Sequence, residues 1–498
     1  MNSSVDLLFT TLASRPSETV VLRGEDFAWT ASDLLAEIEQ LAGQLSQTSV
    51  LGLLADNSPE WAIADLAALR SSTPLLPLPT FFTPDQLAHA LQQTGTDVVL
   101  TDQPERIAAL ALGFSVTGTQ RGLTWLRRNV APVNLPAGTA KISYTSGSTG
   151  APKGVCLSVE GLLDTAKALT TRLADLPIAC HLAVLPLSLL LENSAGIYAP
   201  ILRGAEIHLP GLASLGWQGM AGFSPEILQK KVAEVRPDSL ILVPELLKAW
   251  LLYLHASGQR APAGLSYVAV GGSRVEHAML IEARRLGIPA YQGYGLTECG
   301  SVVSLNRPGD DGDDAGRPLP HVRVVIHQDE VHVTTRAFLG YLGDPETVAE
   351  ASFATGDLGN FDESGHLRLS GRRKNLLITS FGRNISPEWV ESVLAAQPEI
   401  AQNIVCGDGQ NTLSAVIVPF RGVVPAALAN ALARANAALP DYARIGHWIT
   451  ATPFTAQNGL ATGNGRPVRS SILNQYAAEL AALYQAPNQN EENAHVVL

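Results

Sequence analysis

Short apolar runs alternate with amphipathic helical stretches through most of this chain, and that alternation restricts it to few folds. Residues 31–47 (ASDLLAEIEQLAGQLSQ) carry apolar positions at helical spacing. SVLGLLA at 49–55 reads as a short strand, and PEWAIADLAALRSS at 59–72 predicts a second helix before PLLPLPT. Further on, DVVLTD, SLILVPE and SYVAVGG read as strands, with helices predicted over 226–235, 245–257 and 276–286. Strands separated by helices pair in parallel, so the expectation is a layered α/β fold. At 498 residues more than one domain is expected, and a hydrophobic content of 46% supplies ample material for packed cores.

From about residue 321 the texture changes. HVRVVIHQDEVHVTTRA and GNFDESGHLRLSGRRKN read as short strands and hairpins, with ESG at 363–365 as a turn. In ISPEWVESVLAAQ, Ser386 is the expected N-cap and Pro387 the first helical residue. The strand runs NIVCG and SAVIVPF follow, then the helix AALANALARANAAL, a coil (GLATGNGRPVR) and the helix SSILNQYAAELAALYQ. The polar tail APNQNEENAHVVL is expected to be disordered for most of its length. This pattern places a large α/β domain at 1–373 and a small α+β domain at 374–498, with the boundary near Arg373–Asn375.

A net charge of −12 argues against a general nucleic-acid binder, because phosphate backbones attract basic surfaces. The four cysteines, Cys156, Cys180, Cys299 and Cys406, form no CxxC pair, which disfavours a zinc site or a disulfide framework and fits a reducing cytoplasm. The N-terminus lacks a basic region followed by a long apolar core, so no signal peptide is expected. The most apolar stretch, 182–202, carries Glu192, Asn193 and two prolines, and reads as a buried core segment rather than a membrane span.

Residues 144–154, YTSGSTGAPKG, leave a predicted strand (AKISY) as a run of glycines and hydroxyls closed by a lysine. Bare backbone, hydroxyl donors and a cation suit an anion such as a phosphate chain, although the glycine spacing does not match a Walker loop. A plain surface turn is the alternative reading of that composition.

YTSGSTGAPKG resembles the phosphate loop of the adenylate-forming superfamily, which includes acyl-CoA synthetases and amino-acid adenylation domains. Further motifs follow in that family's order: YQGYGLTE (291–298), TGDLGNFDESGHLRLSGRRKN (355–375), SFGRNISPEWVE (380–391) and NGLATGNGRPVR (458–469). The resemblance covers most of the chain and is nearest to the long-chain fatty acyl branch. It implies a large layered α/β domain with parallel sheets plus a distorted β-barrel, and a small C-terminal α+β domain. It also implies ATP-dependent activation of a carboxylic acid to an acyl-adenylate with Mg²⁺, and then transfer of the acyl group to a thiol. That thiol belongs to coenzyme A or to the phosphopantetheine of an acyl carrier protein. The expected assembly is a monomer or homodimer.

Carried over residue by residue, the resemblance gives Thr145, Ser146, Gly147, Ser148, Thr149, Gly150 and Lys153 to the phosphates. It sets Gly271, Gly272 and Ser273 against adenine and the acyl carboxylate, and Gln292, Gly293, Tyr294 and Gly295 around the adenine. Thr297 is expected at the phosphates, Glu298 on Mg²⁺, Asp357 on the ribose hydroxyls and Arg372 on ribose or phosphate. Lys374 falls at the family's hinge, and Gly382 where a pantetheine thiol passes the backbone. Leu189, Glu192 and Asn193 lie in the segment expected to line the acid pocket. Taken singly, each of these residues also reads as an ordinary surface, turn or core residue.

One departure stands out. The family's catalytic motif ends in a lysine that joins the α-phosphate and the attacking carboxylate, and here the aligned residue is Arg466. No lysine follows Lys374, so a shifted alignment does not restore one. A guanidinium can grip carboxylate and phosphate together. It is also wider than an ammonium, so a catalytically impaired nucleotide- or acyl-binding homologue is one alternative, and an aryl- or amino-acid-adenylating enzyme is another. The intact nucleotide motifs favour a working enzyme. Rival signatures, HExxH, GxSxG and a strand-borne GxGxxG, are absent from the sequence.

Overall fold

The computed structural model describes residues 3–145, 153–219, 222–344, 352–463, 465–485 and 495–496. The fold is α/β, with a large N-terminal part and a smaller C-terminal one. Two sheets form the large part. The centre of a nine-stranded sheet is parallel, with Cys180–Leu182, Ser239–Leu242, Tyr267–Val270 and Ala290–Tyr294 in successive register (Leu240 opposite Val268, Val268 opposite Ala290). An eight-stranded sheet sets Leu51–Leu54 between Leu75–Pro77 and Val98–Thr101 in parallel, and adds the antiparallel hairpin of Thr139–Thr145 and Lys153–Ser158.

The helices begin where the local chemistry asks them to. Thr30, Ser58 and Ser158 each cap a helix by accepting the backbone N–H three residues on, at Asp33, Trp61 and Gly161. The helix predicted over 59–72 ends at Ser71, because Ser72 turns into the left-handed region at φ 58°. The antiparallel unit expected as a distorted barrel is a four-stranded sheet in the order Arg323–His327, Glu330–Thr334, Phe353–Phe361, Leu367–Arg372. At the ESG turn, the Asp362 side chain accepts from the N–H groups of Ser364 and His366, and Gly365 supplies φ +79°.

The apolar segment 182–202 is buried and irregular. It runs through helix Leu190–Asn193, a π-helical turn Ser194–Tyr198 and helix Ala199–Arg203. Behind it Lys141, 1% exposed, spends all three ammonium protons on Asp65 (2.6 Å), Tyr198 (2.9 Å) and Asn193. Burial lowers the Lys141 pKa, and Asp65 opposes that shift.

Beyond residue 376 a separate core forms. Leu377, Ile385, Val390, Leu394, Val405 and Ile417 pack with helix Pro425–Ala437, and a second cluster including Val416, Ile449, Phe454, Ile472 and Leu480 covers the other face. Ser386 caps helix Pro387–Ala395 by accepting the Trp389 N–H, with Pro387 at its first position. Of the polar tail, only His495–Val496 lies within the described residues, paired in parallel with Ile445–Thr450. No helix among the described residues is long and apolar enough to cross a membrane.

Candidate active site

The parallel strand Ala290–Tyr294 delivers Tyr294 to a carboxylate from a different sheet. Its hydroxyl donates to Asp357 Oδ2 at 2.7 Å, and Arg372 Nε donates to Asp357 Oδ1 at 2.8 Å. Asp357 and Arg372 face each other across the strand pair Phe353–Phe361 and Leu367–Arg372. Each carboxylate oxygen keeps a lone pair beyond the one already used, so Asp357 is held in place while able to accept a vicinal diol. Burial, reinforced by Asp357, raises the Tyr294 pKa and keeps its hydroxyl a donor.

After Tyr294 the chain turns so tightly that a Cβ on Gly295 would lie 1.7 Å from the Ser301 carbonyl oxygen. The turn brings Thr297 and Glu298 round on the short 3-10 helix Thr297–Cys299. Glu298 Oε1 accepts from the Tyr341 hydroxyl at 2.9 Å, and Lys153 Nζ lies 5.2 Å from the centre of that tyrosine's ring. Thr145 and Lys153 are paired across the hairpin whose tip carries the phosphate-loop motif. Ser146, Gly147, Ser148, Thr149 and Gly150 lie outside the described residues.

Gly271, Gly272 and Ser273 follow strand Tyr267–Val270, with Gly272 at φ +94°. Gln292 supports this turn from beneath: its amide oxygen accepts the Val275 N–H at 3.1 Å, so it braces the turn. From the C-terminal part, Arg466 Nη2 donates to the Gly272 carbonyl at 2.7 Å. Arg466 as a residue is exposed, while its guanidinium is turned in toward the Gly272 carbonyl. Burial lowers its pKa, Glu245 raises it and Arg372 lowers it, and the high intrinsic pKa of a guanidinium keeps it a cation.

The expected acid-pocket residues separate. Leu189 is half-buried at the start of helix Leu190–Asn193. Glu192 is fully buried, with one oxygen 3.0 Å from His181 Nε2 and the other accepting the Leu185 N–H at 2.9 Å. Asn193 belongs to the Lys141 cluster. Neither polar side chain is brought to the Gly271–Ser273 turn. Leu191, not singled out from the sequence, is nearer: its Cδ2 would lie 3.5 Å from a Cβ on Gly271. Tyr341 was also missed, because only the antiparallel pairing of Phe338–Tyr341 with Lys153–Ser158 places it beside Lys153.

Lys374 is exposed on the 3-10 turn Arg373–Asn375, its pKa lowered by burial and by Arg372. Gly382 stands in open space at φ +70°, where a Cβ would meet nothing within 4 Å.

The profile of the AMP-binding enzyme family matches residues 8–336, and that of the AMP-binding enzyme C-terminal domain matches 374–488. A long-chain-fatty-acid–CoA ligase 1 from Cavia porcellus is 24% identical over 89% of this chain and 79% of its own length. A 2-succinylbenzoate–CoA ligase from Bacillus pumilus is 25% identical over 89% and 94%. The solved structure of an anthranilate CoA ligase with anthranoyl-AMP superposes with a TM-score of 0.79 at 19% identity, covering 96% of this chain and 98% of that one.

Proposed function

The chain belongs to the AMP-binding enzyme family, and from that premise we propose that it uses ATP to activate a carboxylic acid and passes the acyl group to a thiol. One observation carries the reading. Arg466 crosses from the C-terminal part to the Gly272 carbonyl, beside the cluster of Tyr294, Asp357 and Arg372.

In this reading Asp357, braced by Tyr294 and Arg372, accepts the ribose hydroxyls, while Thr145 and Lys153 meet the outer phosphates at the root of their loop. Thr297 reaches the same phosphates. Glu298 suits a hard cation: Oε1 takes the Tyr341 hydroxyl, and Oε2 has no hydrogen bond among the described residues. Mg²⁺ held there supplies charge neutralisation to the phosphates. The acid's carboxylate oxygen attacks the α-phosphorus. A P–O bond forms, and the bond to pyrophosphate breaks with its electron pair leaving on pyrophosphate. In this reading Arg466 binds both the carboxylate and the α-phosphate and contributes alignment and charge stabilisation. A thiol then attacks the acyl carbon and AMP leaves. The family's second step calls for the part from 374 onward to turn about Lys374 and bring Gly382 to the thiol. Coenzyme A is the proposed acceptor, with the phosphopantetheine of a carrier protein as the other source of the same thiol.

A fatty acid is the proposed substrate. Leu191 beside Gly271 offers an apolar wall, and Glu192 is consumed by His181 and Leu185, which leaves it unable to hold an α-amino group. An aromatic acid is the competing substrate, favoured by the likeness to the 2-succinylbenzoate ligase. The test is acid-dependent ATP–pyrophosphate exchange across fatty, aryl and amino acids, followed by AMP release with and without coenzyme A. Exchange confined to fatty acids and stimulation of AMP release by coenzyme A are expected. ATP binding without exchange for any acid overturns the activity in favour of a binding homologue.

A further inference from the structure

Lys248 lies on helix Pro244–Ser257 of the large part, and its ammonium is spent entirely on the small one. Nζ donates to the carbonyl oxygens of Gln397 (2.8 Å), Ile400 (2.6 Å) and Ala395. Three donors meet three acceptors, so the group is saturated. Ala395 is the last residue of helix Pro387–Ala395, where carbonyls lack intrahelical partners and the helix dipole favours a cation; Gln397 lies in the turn after it, and Ile400 opens the strand Ile400–Cys406. Phe420, also from the small part, sets its ring centre 5.4 Å from Nζ. Burial pushes the Lys248 pKa down to about 8, opposed by Glu399 of the small part and Glu245 of its own helix.

Glu245 connects this contact to the site. One turn before Lys248, it is also the carboxylate whose charge acts on Arg466. One helix therefore carries both the Lys248 contact with the small part and, one turn earlier, a carboxylate whose charge is felt at Arg466. Such a triple carbonyl contact has one productive geometry. Any rotation of the small part withdraws all three acceptors together and carries Arg466 off the Gly272 carbonyl. Resting on the reaction proposed above, we propose that Lys248 is a positioning residue for acid activation: it clamps the small part in the orientation that places Arg466 at Gly272, and it is released for the thiol step.

The test compares the two half-reactions in full-length Lys248→Met, which keeps the apolar stem, and Lys248→Arg, which keeps a cation. In Lys248→Met, pyrophosphate exchange is expected to fall about 100-fold in kcat, the loss typical of displacing a reacting group by about 1 Å. KM for ATP and acid should change little. Thioester formation from synthetic acyl-adenylate and coenzyme A should hold its rate or rise, and Lys248→Arg should recover part of the exchange. A merely structural lysine would depress both half-reactions alike, and that result overturns the proposal. A second readout needs no turnover: spin labels at Ala233→Cys and Asn430→Cys report the separation of the two parts. A broader or shifted distance in Lys248→Met supports the clamp, and an unchanged distance refutes it. If the unmodified protein shows no exchange with any acid, the activity reading fails, and the label distances decide the clamp alone. Should Lys248→Met not fold, Lys248→Gln takes its place in both measurements.

Discussion

The Arg466 guanidinium lies 2.7 Å from the carbonyl oxygen of Gly272, a residue 194 positions earlier in the chain. A Cβ on Gly272 would sit 3.2 Å from the same nitrogen, so a glycine lets the arginine approach closely. The contact unites the last sequence motif with the turn expected to face the acyl carboxylate, and it locates the arginine that stands in place of a lysine.

Arg466→Ala is therefore expected to reduce acid-dependent pyrophosphate exchange by about 100-fold or more, the scale of losing one preorganised charge-stabilising donor. ATP binding should be little affected. Arg466→Lys should also lose rate, because the shorter single-point cation does not span the same gap. A gain in rate for Arg466→Lys would show that the arginine impairs the site.

Asp357→Ala removes the acceptor on which Tyr294 and Arg372 converge. With a charge-assisted hydrogen bond worth about 1.5–3 kcal/mol, ATP affinity should fall at least tenfold by titration calorimetry. Tyr294→Phe, which removes one hydroxyl, should cost about 0.5–1.5 kcal/mol. Equal ATP affinity in Asp357→Ala and the unmodified protein would remove Asp357 from the nucleotide site.

Lys141→Met leaves the Asp65 carboxylate buried at 0% exposure without its cation. Breaking a buried pair from one side costs about 3–5 kcal/mol, to be read from urea unfolding. The same cluster anchors strand Thr139–Thr145, which carries the start of the YTSGSTGAPKG motif, so activity should fall in step with stability. A loss below about 1 kcal/mol would mean that the cluster rearranges around the gap.

His321 accounts for part of the acid sensitivity expected of this fold. Burial pushes its pKa down from 6.5 to about 4, against an upward pull from Asp164, and its Nε2 lies 3.0 Å from Thr165 Oγ1. Between pH 6.5 and 4 the unfolded chain binds a proton at this residue that the folded chain does not, so stability falls as pH drops through that window. The slope for one proton is about 1.4 kcal/mol per pH unit. Urea unfolding of His321→Gln against the unmodified protein, from pH 4 to pH 7, should show the difference shrinking toward low pH. A constant difference would mean that His321 takes up its proton while folded.

Much of the local structure was legible because it depends on hydrogen bonds three or four residues long. Ser386 with Pro387 announced a helix start, and ESG at 363–365 a hairpin turn, although the Asp362 side chain that closes it appeared only in the structure. The parallel strands were readable from their apolar runs. Glu192 shows where such reading stops: its acidity and position suggested a pocket, and only the packing of His181 against it shows a carboxylate spent inside the core.

The sequence by itself determined the α/β pattern, the order of the motifs and the absence of any lysine after Lys374, since all three are properties of neighbours or of composition. Tertiary structure alone decided that Tyr341 bridges Lys153 and Glu298, that Arg466 reaches Gly272, and that Lys248 holds the end of a helix 147 residues or more away. Those contacts join segments whose separation along the chain carries no periodicity, so they arise only when sheets, turns and the small domain pack together and bring distant donors and acceptors within about 3 Å.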